Sequence, residues 1–226
     1  MVSILTFTYH GLACVELEFA VRLLINPGIS PQEELELLAT LNPAVVLVSH
    51  SAPEYSGFVP NLPENPKRLV LGNAQVIATL QDQGVDENQV RILNHAETYD
   101  ATHNVTVTAY EQSDETERLL VNTMFFVTSE RASVLHLGRA QNLNGLPDCC
   151  PNLLCIPIAG PSKGVFTPQA AAEAAAALEP DYVLPLLGDI AQSTQFDIAV
   201  GAQKKRISRL FPAEGEAYTV PIYDTK

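Results

Sequence analysis

Apolar and polar side chains alternate over residues 3–9, the period-two pattern of a half-buried strand, and Gly11 ends the run. Two more alternating runs, 13–18 and 21–25, lead into the turn signal Asn26-Pro27-Gly28. Over 31–41 the period lengthens. Pro31 suits a first helical turn, Glu33 and Glu34 suit its positive end, and leucines recur at 35, 37, 38 and 41, which predicts an amphipathic helix. Residues 44–48, Ala-Val-Val-Leu-Val, form an unbroken apolar run, as expected of a strand buried on both faces.

The second half repeats this mixture. Strands are predicted at 69–71, 90–93 and 104–110, with a helix at 73–82 closed by Gly84. Residues 119–128 and 131–137 read as a hairpin turning at Ser129-Glu130, and 153–158 as a buried strand. Thr167 is an N-cap and Pro168 fits the first helical position of an alanine-rich helix that Pro180 stops. A last core strand is expected at 182–186. A final helix is expected over 193–210, with Lys204, Lys205, Arg206 and Arg209 near its C-terminal end. Three strands in a row at the start argue against a doubly wound parallel sheet. The order fits two mixed sheets with outer helices, in one domain spanning residues 1–226.

Composition narrows the chemistry. Acids outnumber bases 26 to 13, a formal charge of −13, so neither nucleic acid nor a membrane is an expected partner. No apolar run approaches the ~18 residues of a membrane span, and residues 1–6 read as a strand, not a signal peptide, so a cytoplasmic protein is expected. Cys14, Cys149, Cys150 and Cys155 are read as reduced, mostly buried thiols, and C-C-x4-C is no standard zinc spacing. Five histidines are few for a multi-histidine metal enzyme. His10, His95, His103 and His136 read as surface or loop residues. Ser162-Lys163-Gly164 lacks the spacing of a phosphate loop, and there is no G-x-S-x-G elbow.

Strand 44–48 runs into Ser49-His50-Ser51-Ala52-Pro53-Glu54-Tyr55-Ser56-Gly57. This resembles the metal loop T-H-x-H-x-D-H of the metallo-β-lactamase superfamily. Further landmarks follow in order. Thr8 to Ala13 is similar to the T-Y-x-G-H-A start of the L-ascorbate-6-phosphate lactonase-like branch, and Leu24-Ile25-Asn26-Pro27 to its L-I-D-P turn. Thr108 to Glu111 stands at A-Y-H, and Val134 to Arg139 at H-x-G-D. Thr167 to Pro180 is similar to the T-P-x-x-A-A helix, and Tyr182 to Leu187 to V-I-P-x-H. The resemblance implies a four-layer αββα sandwich of two mixed β-sheets, an α/β (α+β) fold with its pocket where loops of both sheets meet.

The resemblance also implies which metal ligands this sequence departs from. His50 is kept, while Ala52, Glu54, Tyr55, Glu111, Arg139 and Leu187 replace ligands, and Leu12 and Asn26 replace supporting polar residues. A catalytic zinc needs at least three protein ligands. The remaining candidates are His50, Glu54 and Glu111, beside a guanidinium that does not deprotonate. The expected pocket is therefore His50, Glu54, Tyr55, Glu111 and Arg139, with Arg139 paired to one or both carboxylates and no cofactor. His50 is the candidate catalytic residue.

The expected function is a degenerate, non-hydrolytic binding or interaction protein, a pseudoenzyme. A small anionic ligand held by Arg139 and Lys163, or a protein partner, would occupy it, and the chain could form a homo-oligomer. The alternative is a metal-dependent hydrolase of lactones, esters or phosphodiesters with relocated ligands, using zinc or manganese.

Overall fold

The structure, a computed structural model, describes residues 2–28, 39–113 and 121–223. Its strands are β1 (Val2–Tyr9), β2 (Val15–Glu18), β3 (Arg22–Ile25), β4 (Val45–Val48), β5 (Leu69–Gly72), β6 (Val90–Ile92) and β7 (Thr98–Thr102). They continue with β8 (Val105–Ser113), β9 (Val121–Ser129), β10 (Ser133–His136), β11 (Leu153–Pro157), β12 (Tyr182–Leu186), β13 (Ser208–Arg209) and β14 (Ala217–Tyr223). The described helices are α1 (Pro53–Ser56), α2 (Ala74–Asp82), α3 (Pro168–Leu178) and α4 (Ile190–Ala202).

One sheet runs β14-β1-β2-β3-β4-β5-β6, the other β13-β12-β11-β10-β9-β8-β7. Each is antiparallel in one half and parallel in the other: β3 to β6 pair parallel, as do β10 to β13. The unbroken apolar runs are explained by layers. In β4, Val45 and Leu47 enter the core between the sheets, while Val46 and Val48 pack on the opposite face with Val76 and Leu80 of α2. In β11, Leu153 and Cys155 join the central core, and Leu154 and Ile156 pack with Ala171 and Ala175 of α3 and Phe196 of α4. A strand between a sheet and a helix layer needs apolar residues at both parities. In β1, Leu5 and Phe7 are buried while Val2 and Ile4 are exposed, the pattern of a strand with one face on the core. This is the expected αββα order.

Several details differ from the sequence-based expectations. The last helix begins at Ile190, behind a capping box made by Asp189 and Gln192, and ends at Ala202. Lys204 takes a left-handed turn (φ 54°), and β13 follows where the helix was expected to continue. Strands β7 and β14 were not anticipated. Of the helix expected over 31–41, residues 31–38 lie outside the described residues, as do 119–120 of the expected hairpin. Cys14 and Cys155 are buried, but Cys149 is only half-buried and Cys150 exposed. Among the described residues, no helix is long and apolar enough to cross a membrane.

Candidate functional site

The carboxyl ends of β4, β5 and β10 meet at one edge of the sandwich, where ligands of α/β folds commonly bind. Buried polar side chains lock these ends together. Asn26, left-handed at φ 52°, accepts the Ser49 N–H at 2.8 Å through Oδ1. The Ser49 carbonyl accepts from Thr123 N at 2.9 Å, joining the two sheets. Asn73, the N-cap of α2, donates through Nδ2 to the Val121 carbonyl and to Thr123 Oγ1, both at 3.0 Å. Asn122 donates to the Leu137 carbonyl at 3.0 Å and accepts the Arg139 N–H at 2.7 Å. Gly138 (φ 59°) sits between them. A Cβ there would lie 2.5 Å from Asn122 Oδ1 and 2.7 Å from Ser49 Oγ, so only glycine lets these strand ends approach.

At this edge the structure places His50 beside Arg139. The His50 Nε2 and Arg139 Nη1 atoms are 3.2 Å apart, and the Ala52 N–H points at His50 Nδ1 from 3.0 Å. A singly protonated imidazole has one acceptor nitrogen, yet a donor faces each of its nitrogens. The guanidinium is further held by its Nε–H, which donates to the Lys163 carbonyl at 3.2 Å. It lies against Gly164, where a Cβ would sit 2.7 Å from Arg139 Nη2. Tyr55 is buried beneath, its ring 5.5 Å from that of His50. Burial, helped by the Glu54 charge, pushes the Tyr55 hydroxyl above its ordinary pKa, against a smaller opposite effect of Arg139.

Glu54 is exposed, and Glu111 is half-exposed in β8, its backbone N–H donating to His95 Nδ1 at 3.1 Å. Arg139 contacts His50 and the Lys163 carbonyl. Leu187, where the resemblance places the last histidine, is left-handed (φ 64°) and donates its N–H to the carbonyl of Leu12, also left-handed (φ 48°), at 3.2 Å.

Two histidines expected at the surface are buried. His136 accepts from Gly138 N–H at 3.1 Å through Nδ1, so Nε2 carries the proton and donates to the Ala13 carbonyl at 3.0 Å. Complete burial pushes its pKa down to about 4. His10 lies 3.2 Å from Glu16, itself buried and 3.4 Å from Arg22. The flanks of His10 read as a loop, while His136 stood inside a predicted strand whose apolar neighbours, Leu135 and Leu137, already pointed to burial. The buried amides Asn73 and Asn122 were also missed: Asn73 follows a strand, where an asparagine reads equally well as a turn, and Asn122 lies within β9, where a polar residue reads as facing solvent.

Among the described residues, the side chains at this edge do not fit a metal. Ala52 and Leu187 have no donor atom, and a guanidinium touches the one histidine kept. Among the described residues, no group of three or more His, Cys, Asp or Glu side chains could hold an ion.

A profile of the Beta-lactamase superfamily domain matches residues 6–187. The chain belongs to this family. No curated protein sequence matches it. Among solved structures it is similar to Igni18, described as a novel metallo hydrolase from Ignicoccus hospitalis KIN4/I. That match has 16% identity and a TM-score of 0.75, covering 96% of this chain and 99% of that one. It is similar to YhfI, a metallo-beta-lactamase fold protein of Bacillus subtilis, at 12% identity and TM-score 0.76, covering 96% and 100%. It also resembles CmlA of Streptomyces venezuelae, a diiron β-hydroxylase, at 15% identity and TM-score 0.64, covering 97% of this chain and 54% of that one.

These matches establish the fold and correct one expectation. The expectation of no cofactor, drawn from the replaced ligand positions, is overturned: structures of this fold that the chain matches are described as a metallo hydrolase and a diiron enzyme. The finding about this chain is narrower and concerns only the donor set at the edge around His50.

Proposed function

We propose that this member of the β-lactamase superfamily is a binding protein that holds a small anionic ligand at the strand edge around His50 and Arg139, without hydrolysing it. The observation that carries this reading is the anchored guanidinium 3.2 Å from His50 Nε2. A general base at His50 would have to accept a proton at the nitrogen that a permanent cation faces. A planar guanidinium, with Lys163 beside it, suits the oxygens of a phosphate or carboxylate. Catalysis here would need a group to generate a nucleophile, and the described side chains supply no such pair.

A second reading, a hydrolase with relocated ligands, is favoured by the descriptions of matched structures as hydrolases. One experiment separates the two. Purified protein is incubated with phosphodiester, lactone and ester substrates, with and without added Zn²⁺ or Mn²⁺, and thermal shifts are recorded with phosphosugars. The binding reading expects stabilisation by a phosphosugar and no turnover. Metal-dependent turnover lost in His50→Ala would overturn it.

A further inference from the structure

Beside the first turn of α4 lies a hollow of about 470 Å³, within the size range of small-molecule sites. Its walls carry two large apolar side chains that the fold leaves in water. Ile190 is 88% exposed and Phe211 is 51% exposed, and both line this one hollow together with Tyr9 and Pro212. An exposed apolar residue standing alone is ordinary, but several gathered in one concave surface mark a place where something binds.

The charges on these walls have one sign. Asp189, Asp197 and Glu214 line the hollow, and no described Lys, Arg or His does. Asp197 is matched by Arg209, whose Nε stands 2.7 Å from it. One oxygen of Asp189 caps α4, accepting the Gln192 N–H at 2.8 Å, and Glu214 is exposed. Among the described ion pairs, neither Asp189 nor Glu214 has a basic partner. The walls are held in place by backbone bonds. Leu210 N donates to the Val183 carbonyl at 2.9 Å, Gly215 N to the Tyr9 carbonyl at 2.8 Å, and Ala213 N to the Tyr218 hydroxyl at 3.2 Å. The hollow is thus formed before a ligand arrives, which lowers the cost of binding.

We propose that this hollow binds a small organic cation, an ammonium group carried on an apolar body. The body covers Ile190 and Phe211 and takes out of water the side chains that the fold leaves there. The ammonium is attracted by the carboxylates of Glu214 and Asp189, and aromatic rings such as those of Phe211 and Tyr9 favour a cation as well. An anion of the same shape would meet like charges and is turned away. The hollow is therefore opposite in sign to the edge around Arg139, and it shares no lining residue with the group of His50 and Arg139. The two sites take different ligands.

The test uses the full chain and three probes of closely similar shape, phenethylamine, phenethyl alcohol and phenylacetate, at equal ionic strength. Titrations are followed by calorimetry and by the backbone amide resonances of Ile190, Thr194 and Phe211. Phenethylamine should bind saturably, about fivefold or more tightly than the alcohol, and move those resonances, while phenylacetate binds more weakly than either. Glu214→Gln should weaken the amine by about threefold or more and leave the alcohol unchanged. Phe211→Ala should weaken both. The two substituted side chains are exposed, so both variants should fold. Alcohol or phenylacetate binding as tightly as the amine, amine binding unchanged in either variant, or resonance shifts confined to other parts of the chain would each overturn the proposal.

Discussion

Acidification should weaken this protein through His136 before its carboxylates are fully protonated. The ring is completely buried and neutral, bridging Gly138 N–H and the Ala13 carbonyl, and so ties the end of β10 to the loop after β1. Its folded pKa is about 4, below the ordinary 6.5. The sign follows from linkage: a depressed folded pKa means that the unfolded chain binds the proton first, so stability is complete above pH 6.5 and falls as pH drops toward 4. The 2.5-unit gap is worth about 3 kcal/mol in all, with roughly 1 kcal/mol already lost at pH 5.5. The assay is urea unfolding of the wild type and His136→Gln at pH 7.5, 6.5, 5.5 and 4.5. The glutamine amide can donate to the Ala13 carbonyl but does not titrate. Wild type should lose stability relative to the variant as pH falls. Parallel pH profiles for the two proteins would refute the buried neutral imidazole.

Three further outcomes follow from close contacts and exposure. Gly28→Ala should destabilise by at least about 2 kcal/mol in urea unfolding, because its Cβ would fall 1.9 Å from the Glu54 carbonyl oxygen, a backbone atom that cannot swing away. Gly164→Ala combines a left-handed φ of 67° with a Cβ 2.7 Å from Arg139 Nη2, so it should cost about 1 kcal/mol and displace the guanidinium from His50. The check is the His50 ring resonances, which should move in Gly164→Ala as they do in Arg139→Met. Under native conditions, iodoacetamide should label Cys150 first and Cys149 more slowly, with Cys14 and Cys155 unlabelled until unfolding. Exposure sets that order, and burial raises the Cys149 and Cys155 thiol pKa values. Mass mapping of labelled peptides reads it out.

The fold was legible where local pattern and burial agree. The run at 44–48 announced a strand with apolar faces on both sides, and the Thr167-Pro168 cap marked the start of α3. Edge strands escaped notice. β14 is held by β1, with Val2 opposite Tyr223, and its register depends on a partner at the other end of the chain. The start of α4 was hidden because Ile190 is 88% exposed, so the amphipathic phase begins after the helix does.

The site was legible in part for a related reason. His50 and Arg139 come from strand ends that the sequence separates widely, and alignment with a known motif brought them together. The contact between the guanidinium and His50 did not follow from charge. Of the two expected counter-ions, Glu54 and Glu111, Glu54 stands in α1, which begins at Pro53 and leaves that side chain exposed while Tyr55 turns inward.

On the proposed function, the anchored guanidinium at the strand edge binds an anion without consuming it. Its most direct measurement is calorimetric titration of wild type and Arg139→Met with glucose 6-phosphate, with the ligand recovered and assayed for intact phosphate ester. Binding to wild type should be 1:1, binding to the variant about tenfold weaker or more, and recovery quantitative. Equal affinity in Arg139→Met, or release of phosphate with added metal, would contradict it.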